Sequence, residues 1–238
     1  MRYLCLHGFT GSPESFAGCD PPSGSLRPVL GGHRHTEVRG DFDDEVERLA
    51  ALGAEAQCEG LFGYSLGGRL ALGILARYPE RFRHALVVSA QAGLVSEAER
   101  LARIDGDSRW VALLRERGLT AFVDAWQALP LWATQGDLSE DVKQAQREQR
   151  LGHSAEGLAH SLTQHGLGKM PDLRPRLAEV RTPVDFLVGE RDSKFVTLAQ
   201  ELARLLPQAR LSIATGAGHN LLLERPALCA SLLVRGDS

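Results

Sequence analysis

The chain has 238 residues, 43% of them hydrophobic, so it is long enough to bury a substantial core. Its formal net charge of -3 at pH 7 gives no reason to expect nucleic acid or a membrane surface as a partner. No apolar run approaches the length of a membrane span, and the first residues enter a core strand instead of a cleavable signal. We therefore expect a cytoplasmic protein.

Short apolar runs alternate with segments of helical periodicity, a pattern that predicts an α/β fold with a mainly parallel sheet flanked by helices. The predicted strands lie near residues 2–6, 27–30, 60–64, 84–89, 184–188 and 210–214. A helix is predicted over residues 66–77, directly after the third of these strands.

Between residues 89 and 183 the chain carries further helical patterning instead of strands. The predicted helices lie at 97–104, 109–116, 119–126 and 139–150. We interpret this insertion as a helical lid. The expected organisation is a core of residues 1–90 and 183–238, with residues 91–182 forming the lid and its return segment.

The four cysteines are scattered, without the spacing of a metal site: Cys5, Cys19, Cys58 and Cys229. We expect buried or incidental reduced thiols, not a disulfide framework. No metal and no organic cofactor is expected.

The sequence Gly-Tyr-Ser-Leu-Gly at residues 63–67 follows a predicted strand and opens a predicted helix. Gly-x-Ser-x-Gly in this context is typical of a nucleophile elbow, a sharp turn that exposes the hydroxyl of Ser65 above the sheet. A glycine-rich loop without a catalytic role is the alternative for the motif alone.

A serine at the start of a helix has free backbone NH groups beside it, and these can stabilise an oxyanion. We expect the Leu66 NH to be the first donor. The loop after the first strand contains Phe9, whose NH is the predicted second donor. His7 in the same loop is interpreted as a structural turn residue.

An activated serine needs a histidine to take its proton and an acid to orient that histidine. Asp192 and His219 each follow a predicted strand. The order serine, acid, histidine is that of the α/β-hydrolase fold, so we predict a triad of Ser65, Asp192 and His219. Glu190 is the nearest alternative acid. Taken singly, Asp192 is also compatible with a surface carboxylate and His219 with a loop cap.

Further motifs extend over most of the chain. They are Leu-His-Gly-Phe-Thr-Gly-Ser at 6–12, Gly-Tyr-Ser-Leu-Gly-Gly-Arg at 63–69, the pattern from 98 to 126, Gly-Glu-Arg-Asp-Ser-Lys-Phe at 189–195 and Gly-Ala-Gly-His-Asn at 216–220. Together they resemble the α/β-hydrolase-fold 2-succinyl-6-hydroxy-2,4-cyclohexadiene-1-carboxylate synthases of menaquinone biosynthesis. Members of that family commonly have a Pro-Gly-His-Gly type loop where this chain has Leu-Gly-Gly-His-Arg at 30–34.

The resemblance implies a lyase that eliminates pyruvate from 2-succinyl-5-enolpyruvyl-6-hydroxy-3-cyclohexene-1-carboxylate, with the triad removing a proton. It also implies a small-molecule polycarboxylate as the substrate. The residues at matching pocket positions are Tyr64, Arg69, Arg103, Trp126 and Arg150.

Other functions stay open at this point. The triad alone is equally suited to a serine hydrolase acting on a small anionic substrate. Such an enzyme could be a carboxylesterase, a thioesterase or a carbon-carbon bond hydrolase. A binding protein without catalytic activity is a further alternative. Individually, Arg103, Arg150 and Trp126 are also compatible with surface ion pairs or ordinary packing.

Overall fold

The computed structural model describes residues 1–235. At the centre of this part of the chain lies a single parallel sheet. Its strands, labelled β1 to β5 in chain order, are Tyr3–Leu6, Gly60–Tyr64, His84–Val88, Val184–Gly189 and Ala209–Ala214. They lie side by side in the order β1-β2-β3-β4-β5, and each neighbouring pair is parallel. The loops that leave the carboxyl ends of the strands therefore meet at one edge of the sheet, where ligands bind in open α/β sheets.

The helices follow the strands and also fill the long connection between β3 and β4. They are α1 (Phe42–Glu55), α2 (Leu66–Arg77), α3 (Glu97–Gln127), α4 (Glu140–Leu151), α5 (Ala155–His165), α6 (Arg174–Leu177), α7 (Ser193–Leu205), α8 (Leu221–Glu224) and α9 (Pro226–Arg235). Two 3₁₀ helices span Pro13–Cys19 and Pro130–Asp137.

The sheet is covered on both faces because side chains alternate along its strands. In β1, Leu4 and Leu6 belong to an apolar cluster with residues of α1, α2 and α7. Tyr3 and Cys5 point the other way and join a cluster with the first 3₁₀ helix, α8 and α9. A third cluster lies within the connection between β3 and β4, where α3 packs against α5.

Five of the six predicted strands are confirmed to within one residue at each end. The strand expected at 27–30 is wrong. Leu26 forms a single bridge with Leu4, and its NH and carbonyl bond to Tyr3 and Cys5 at 2.8 Å each. Pro28 follows and has no NH to donate, so the ladder ends there.

The predicted helices at 97–104, 109–116 and 119–126 belong to one element, α3. The residues between the first two are helical despite Gly106, because the apolar face of α3 packs against α5 through residues such as Leu114 and Leu158. Only Gly118 departs from helical geometry, with φ 78° and ψ 177°, so two helical segments meet there.

All four cysteines lie within the described residues and are buried and free, as expected. Among the helices of residues 1–235, none combines the length and the apolar character needed to cross a membrane. The cytoplasmic location stays a prediction.

A polar chain, buried except at Arg210, ties four strands together. The Tyr3 hydroxyl lies 2.8 Å from His84 Nδ1, and His84 Nε2 lies 2.8 Å from Asp185 Oδ2. Arg210 donates from Nε and Nη2 to Asp185 at 2.9 and 3.0 Å. Burial alone would raise the pKa of Asp185, but the hydrogen bond from His84 and the Arg210 guanidinium hold it below its usual value.

Replacing Asp185 with alanine should lower the free energy of unfolding by about 3 kcal/mol, because it leaves buried His84 without its acceptor. Urea denaturation measures the change. The control is Asp105→Ala, which removes an exposed pair with Arg109 and should change stability by less than about 1 kcal/mol. Equal losses in the two variants would contradict this account.

Candidate active site

Loops after β2, β4 and β5 bring the predicted triad together at the carboxyl edge of the sheet. His219 Nε2 lies 3.1 Å from Ser65 Oγ, and His219 Nδ1 lies 2.6 Å from Asp192 Oδ2. The His219 side chain is only 2% exposed. In this arrangement the imidazole can take the serine proton while the carboxylate orients the ring. The catalytic role of the three residues stays a prediction, which this geometry supports.

The alternative acid, Glu190, is engaged elsewhere. Its carboxylate accepts a hydrogen bond from the Gly216 NH at 2.8 Å, whereas Asp192 is the carboxylate bonded to His219. The geometry therefore favours Asp192 as the acid.

The turn at Ser65 has the strained backbone expected of an elbow. Ser65 has φ 52° and ψ -109°, in the region that favours glycine, and its NH donates to the Val88 carbonyl at 2.9 Å. A Cβ at Gly67 would overlap the carbonyl oxygen of Leu6, and one at Gly63 would overlap that of Gly67. Only glycine fits at these two positions, because α2 starts directly against the end of the sheet.

The two predicted oxyanion donors flank Ser65. Leu66 is the first residue of α2, so its NH has no acceptor within the helix, and Phe9 belongs to the loop after β1. Both residues line the same cavity as Ser65. Their role as donors stays a prediction.

The ring of His7 faces the backbone, not the serine. Its Nδ1 donates to the Gly8 carbonyl at 2.9 Å, and its Nε2 accepts from the Leu30 NH at 3.2 Å. This bonding agrees with the structural role expected for His7.

A cavity of about 340 Å³ lies over Ser65. Four of the five predicted substrate-binding residues line it: Tyr64, Arg69, Arg103 and Trp126. Sequence reasoning missed several other wall residues: Gln91, Trp132, Lys194 and Phe195. The last two lie inside the motif at 189–195 and could have been found there; Trp132 lies in a 3₁₀ segment without helical periodicity.

The structure does not place Arg150 in this cavity. Arg150 lines a neighbouring cavity of about 350 Å³. The two cavities share Phe9, Tyr64 and Trp132, and the Arg150 guanidinium lies 5.3 Å from the centre of the Trp132 ring. Trp132 therefore forms part of the wall between Arg150 and the cavity over Ser65.

Two of the three predicted arginines lack a carboxylate partner among residues 1–235. Arg69 donates to the His165 carbonyl at 3.0 Å, and buried Arg150 stacks on Trp132. Desolvation lowers the pKa of Arg69 to about 9, with Arg103 acting in the same direction, and lowers that of Arg150 to about 10. Such uncompensated positive charge favours an anionic ligand.

Arg103 differs because it already has a partner. Its Nε donates to Asp107 Oδ1 at 2.9 Å. Burial raises the pKa of Asp107, and the nearby Arg103 only partly offsets this effect. Arg103 is thus held by α3 at the rim of the cavity with its remaining NH groups available for a ligand.

Several buried polar atoms of the cavity wall have no partner in the part of the chain that the structure describes. They include Trp126 Nε1, Trp132 Nε1 and Ser89 Oγ. Buried donors without partners are rare in folded proteins, so this wall is suited to a ligand rich in oxygen acceptors. In the same part of the chain, no group of three or more His, Cys, Asp or Glu side chains is arranged to hold a metal ion.

The fold matches that of a known protein family. The family described as "Alpha/beta hydrolase family" matches residues 3–232. The chain belongs to this alpha/beta hydrolase family. The predicted fold class is therefore confirmed.

Two curated relatives of this hydrolase-family chain are named as the same synthase. A Bacillus subtilis (strain 168) protein, provisionally named as a 2-succinyl-6-hydroxy-2,4-cyclohexadiene-1-carboxylate synthase, is 36% identical over 240 residues, covering 97% of this chain and 88% of the relative. The synthase of that name from Salmonella paratyphi B is 34% identical over 231 residues, covering 93% and 88%. The resemblance to these synthases is thereby confirmed.

Solved structures of the alpha/beta hydrolase fold are similar to this chain over nearly its whole length. The structure described as MenH from S. aureus has a TM-score of 0.91 and 27% identity, covering 100% of this chain and 95% of its own. An enol-lactonase from Burkholderia xenovorans LB400 has a TM-score of 0.80 at 20% identity, covering 98% and 90%, and shows the shared fold alone.

Replacing Asp192 with asparagine should slow the reaction of Ser65 with a fluorophosphonate probe by at least about 100-fold, because the amide no longer fixes the histidine tautomer. The rate of covalent labelling is the measurement. Glu190→Gln is the matched control and should label within about twofold of the wild type. A larger loss in the Glu190 variant would identify Glu190 as the acid.

Proposed function

We propose that the chain is a lyase that converts 2-succinyl-5-enolpyruvyl-6-hydroxy-3-cyclohexene-1-carboxylate into 2-succinyl-6-hydroxy-2,4-cyclohexadiene-1-carboxylate and pyruvate. The observation that carries this proposal is a hydrogen-bonded Ser65–His219–Asp192 set facing a cavity that contains Arg69, which has no carboxylate partner among the described residues 1–235. The curated relatives, similar over nearly the whole chain, support the same reaction.

The proposed chemistry begins at the serine. Ser65 Oγ transfers its proton to His219 and removes the proton from ring carbon 2 of the substrate, next to the succinyl carbonyl. Negative charge then develops on that carbonyl oxygen, where the NH groups of Phe9 and Leu66 stabilise it. The ring double bonds shift, the carbon-oxygen bond at ring carbon 5 breaks, and the leaving enolate takes up the proton held by His219 to become pyruvate, which restores the neutral imidazole. Water is not a reactant.

The proposed substrate carries three carboxylates, and the protein presents three arginines. We assign Arg69 and Arg103 to the cavity over Ser65, with Tyr64 and Trp126 shaping its wall, and Arg150 to the adjoining cavity. Paired NH donors of a guanidinium match a carboxylate well. In this assignment the substrate extends from the cavity over Ser65 past Trp132 into the adjoining cavity.

The connection between β3 and β4 acts as the lid in this proposal. Residues 91–182 supply Arg103 and Trp126 from α3 and Arg150 from α4, whereas residues 1–90 and 183–238 supply the triad. The core thus provides the chemistry, and the lid with its return segment provides most of the substrate selection.

A serine hydrolase acting on a small anionic substrate is the second candidate, because the same triad can attack a carbonyl carbon. Ser65 would then form an acyl-enzyme that water hydrolyses, with a burst of the first product. The elimination proceeds without a covalent intermediate. A burst of the first product is therefore expected of the hydrolase and not of the lyase.

The experiment follows pyruvate release from the enolpyruvyl substrate by the wild type and Ser65→Ala, beside an enzyme-free control for spontaneous elimination. The proposal expects rapid release by the wild type and a loss of about 1,000-fold or more in kcat in the variant. Release no faster than the enzyme-free control, together with turnover of simple esters or thioesters, would refute the lyase assignment.

Replacing Arg69 with alanine should lower kcat/KM for the polycarboxylate by about 30-fold, because a charge-assisted contact to the substrate is lost. Hydrolysis of a neutral p-nitrophenyl ester should change by less than about threefold. Arg77→Ala, on the outer part of the same helix, is the control and should leave both rates unchanged. Equal losses on both substrates would argue against an anion-binding role for Arg69.

A further inference from the structure

Three buried histidines form a row beside the loop that contains Phe9. They come from separate parts of the chain: His7 from the loop after β1, His33 from the segment at 30–34, and His153 from the turn between α4 and α5. The His33 ring lies between the others, with centroids 4.9 Å from His7 and 5.4 Å from His153. It also packs edge-on against the Phe9 ring at 5.7 Å.

Two of these rings form hydrogen bonds with the backbone NH and the backbone carbonyl of one residue, Thr10. His33 Nε2 accepts from the Thr10 NH at 3.2 Å, and His153 Nε2 donates to the Thr10 carbonyl at 3.1 Å. The remaining nitrogens also bond to backbone: His33 Nδ1 donates to the Gly31 carbonyl at 3.1 Å, and His153 Nδ1 accepts from the Arg34 NH at 2.8 Å. Each ring therefore uses one nitrogen as donor and the other as acceptor, which fixes it as a neutral tautomer.

The residue that they hold has an unfavourable backbone. Thr10 has φ 61°, a left-handed conformation that is rare for a β-branched side chain. Such conformations persist only where the surroundings enforce them, and they cluster at functional sites. Thr10 directly follows Phe9, so the peptide between them sets the orientation of the Phe9 segment beside Ser65.

We propose that His33 is a positioning residue of the active site: with His153, it clamps Thr10 in its left-handed conformation and so aims the Phe9 NH at the substrate oxygen. The inference rests on the proposed catalytic role of that NH. Because His153 lies in the turn between α4 and α5, the same clamp joins the lid to the oxyanion loop. A distortion of a preorganised donor weakens transition-state stabilisation more than substrate binding.

Burial keeps the cluster in the neutral form that this bonding requires. Desolvation lowers the pKa of His7 and of His153 to about 4, and holds that of His33 well below its usual value. The charged or titratable groups that act on the cluster from neighbouring elements are Glu14, Arg34, Glu45 and His165. Assays at neutral pH therefore test the clamp with all three rings uncharged.

The test compares His33→Phe with His33→Gln. Phenylalanine keeps the ring volume but removes both nitrogens, whereas glutamine keeps an acceptor for the Thr10 NH. The control is His35→Ala, an exposed histidine of the same loop. Each protein is assayed for kcat and KM of pyruvate release, for its thermal unfolding midpoint, and for its Kd for phenylboronic acid. The boronic acid adds to Ser65 Oγ to form an anionic tetrahedral adduct, with one of its oxygens in the oxyanion position.

We expect kcat of His33→Phe to fall by about tenfold or more, with KM within about threefold and a parallel loss of boronate affinity. His33→Gln should recover most of both values, and His35→Ala should match the wild type. If His33→Phe does not fold, His153→Phe and His153→Gln, which act on the Thr10 carbonyl, replace the pair with the same expectations.

A folded His33→Phe that keeps wild-type kcat and boronate affinity would overturn the proposal. So would a His33→Gln variant worse than His33→Phe, because the ring would then act by its volume alone. A wild type that releases no pyruvate would refute the proposed function, while the boronate titration would still test the clamp.

Discussion

The direct contact between the start of α2 and the end of β1 is the constraint on which the active site depends. At Gly67 the helix backbone approaches the Leu6 carbonyl so closely that no Cβ fits, and Ser65 is held at φ 52°. That turn fixes the serine hydroxyl at the edge of the sheet where the loops after β4 and β5 also arrive. The hydrogen bond from Ser65 to His219 and that from His219 to Asp192 follow from this convergence of loops.

Charge and polarity then give the cavity its chemical character. Arg69 enters from α2 and Arg103 from α3, while donors such as Trp126 Nε1, which have no hydrogen-bond partner within residues 1–235, line the wall. Burying such groups is unfavourable in the protein alone, so their cost is tolerated where a ligand supplies the acceptors. In the proposed function the core supplies proton transfer and Arg69, and the insertion between β3 and β4 adds Arg103 and Arg150 to distinguish a polycarboxylate from a neutral ester.

Sequence reasoning succeeded where the signal was local. Gly63 and Gly67 around Ser65 mark the elbow, and Asp192 and His219 each follow a recognisable strand. Features that depend on contacts between distant segments were not predictable: Arg150 lies behind Trp132, and His33 and His153 meet at Thr10 across more than a hundred residues. The strand expected at 27–30 does not form, because Pro28 has no NH to donate to a sheet ladder, although Val29 and Leu30 are apolar.

The central claim is that the triad removes a carbon-bound proton and that water does not enter the product. Pyruvate alone does not establish this, because hydrolysis of the enol ether also releases it. The deciding measurement is the mass of the ring product formed with wild-type enzyme. Elimination predicts a cyclohexadiene without the oxygen at ring carbon 5, lighter by one water than the diol of hydrolysis. The diol as the enzyme-dependent product would contradict the account and identify a hydrolase.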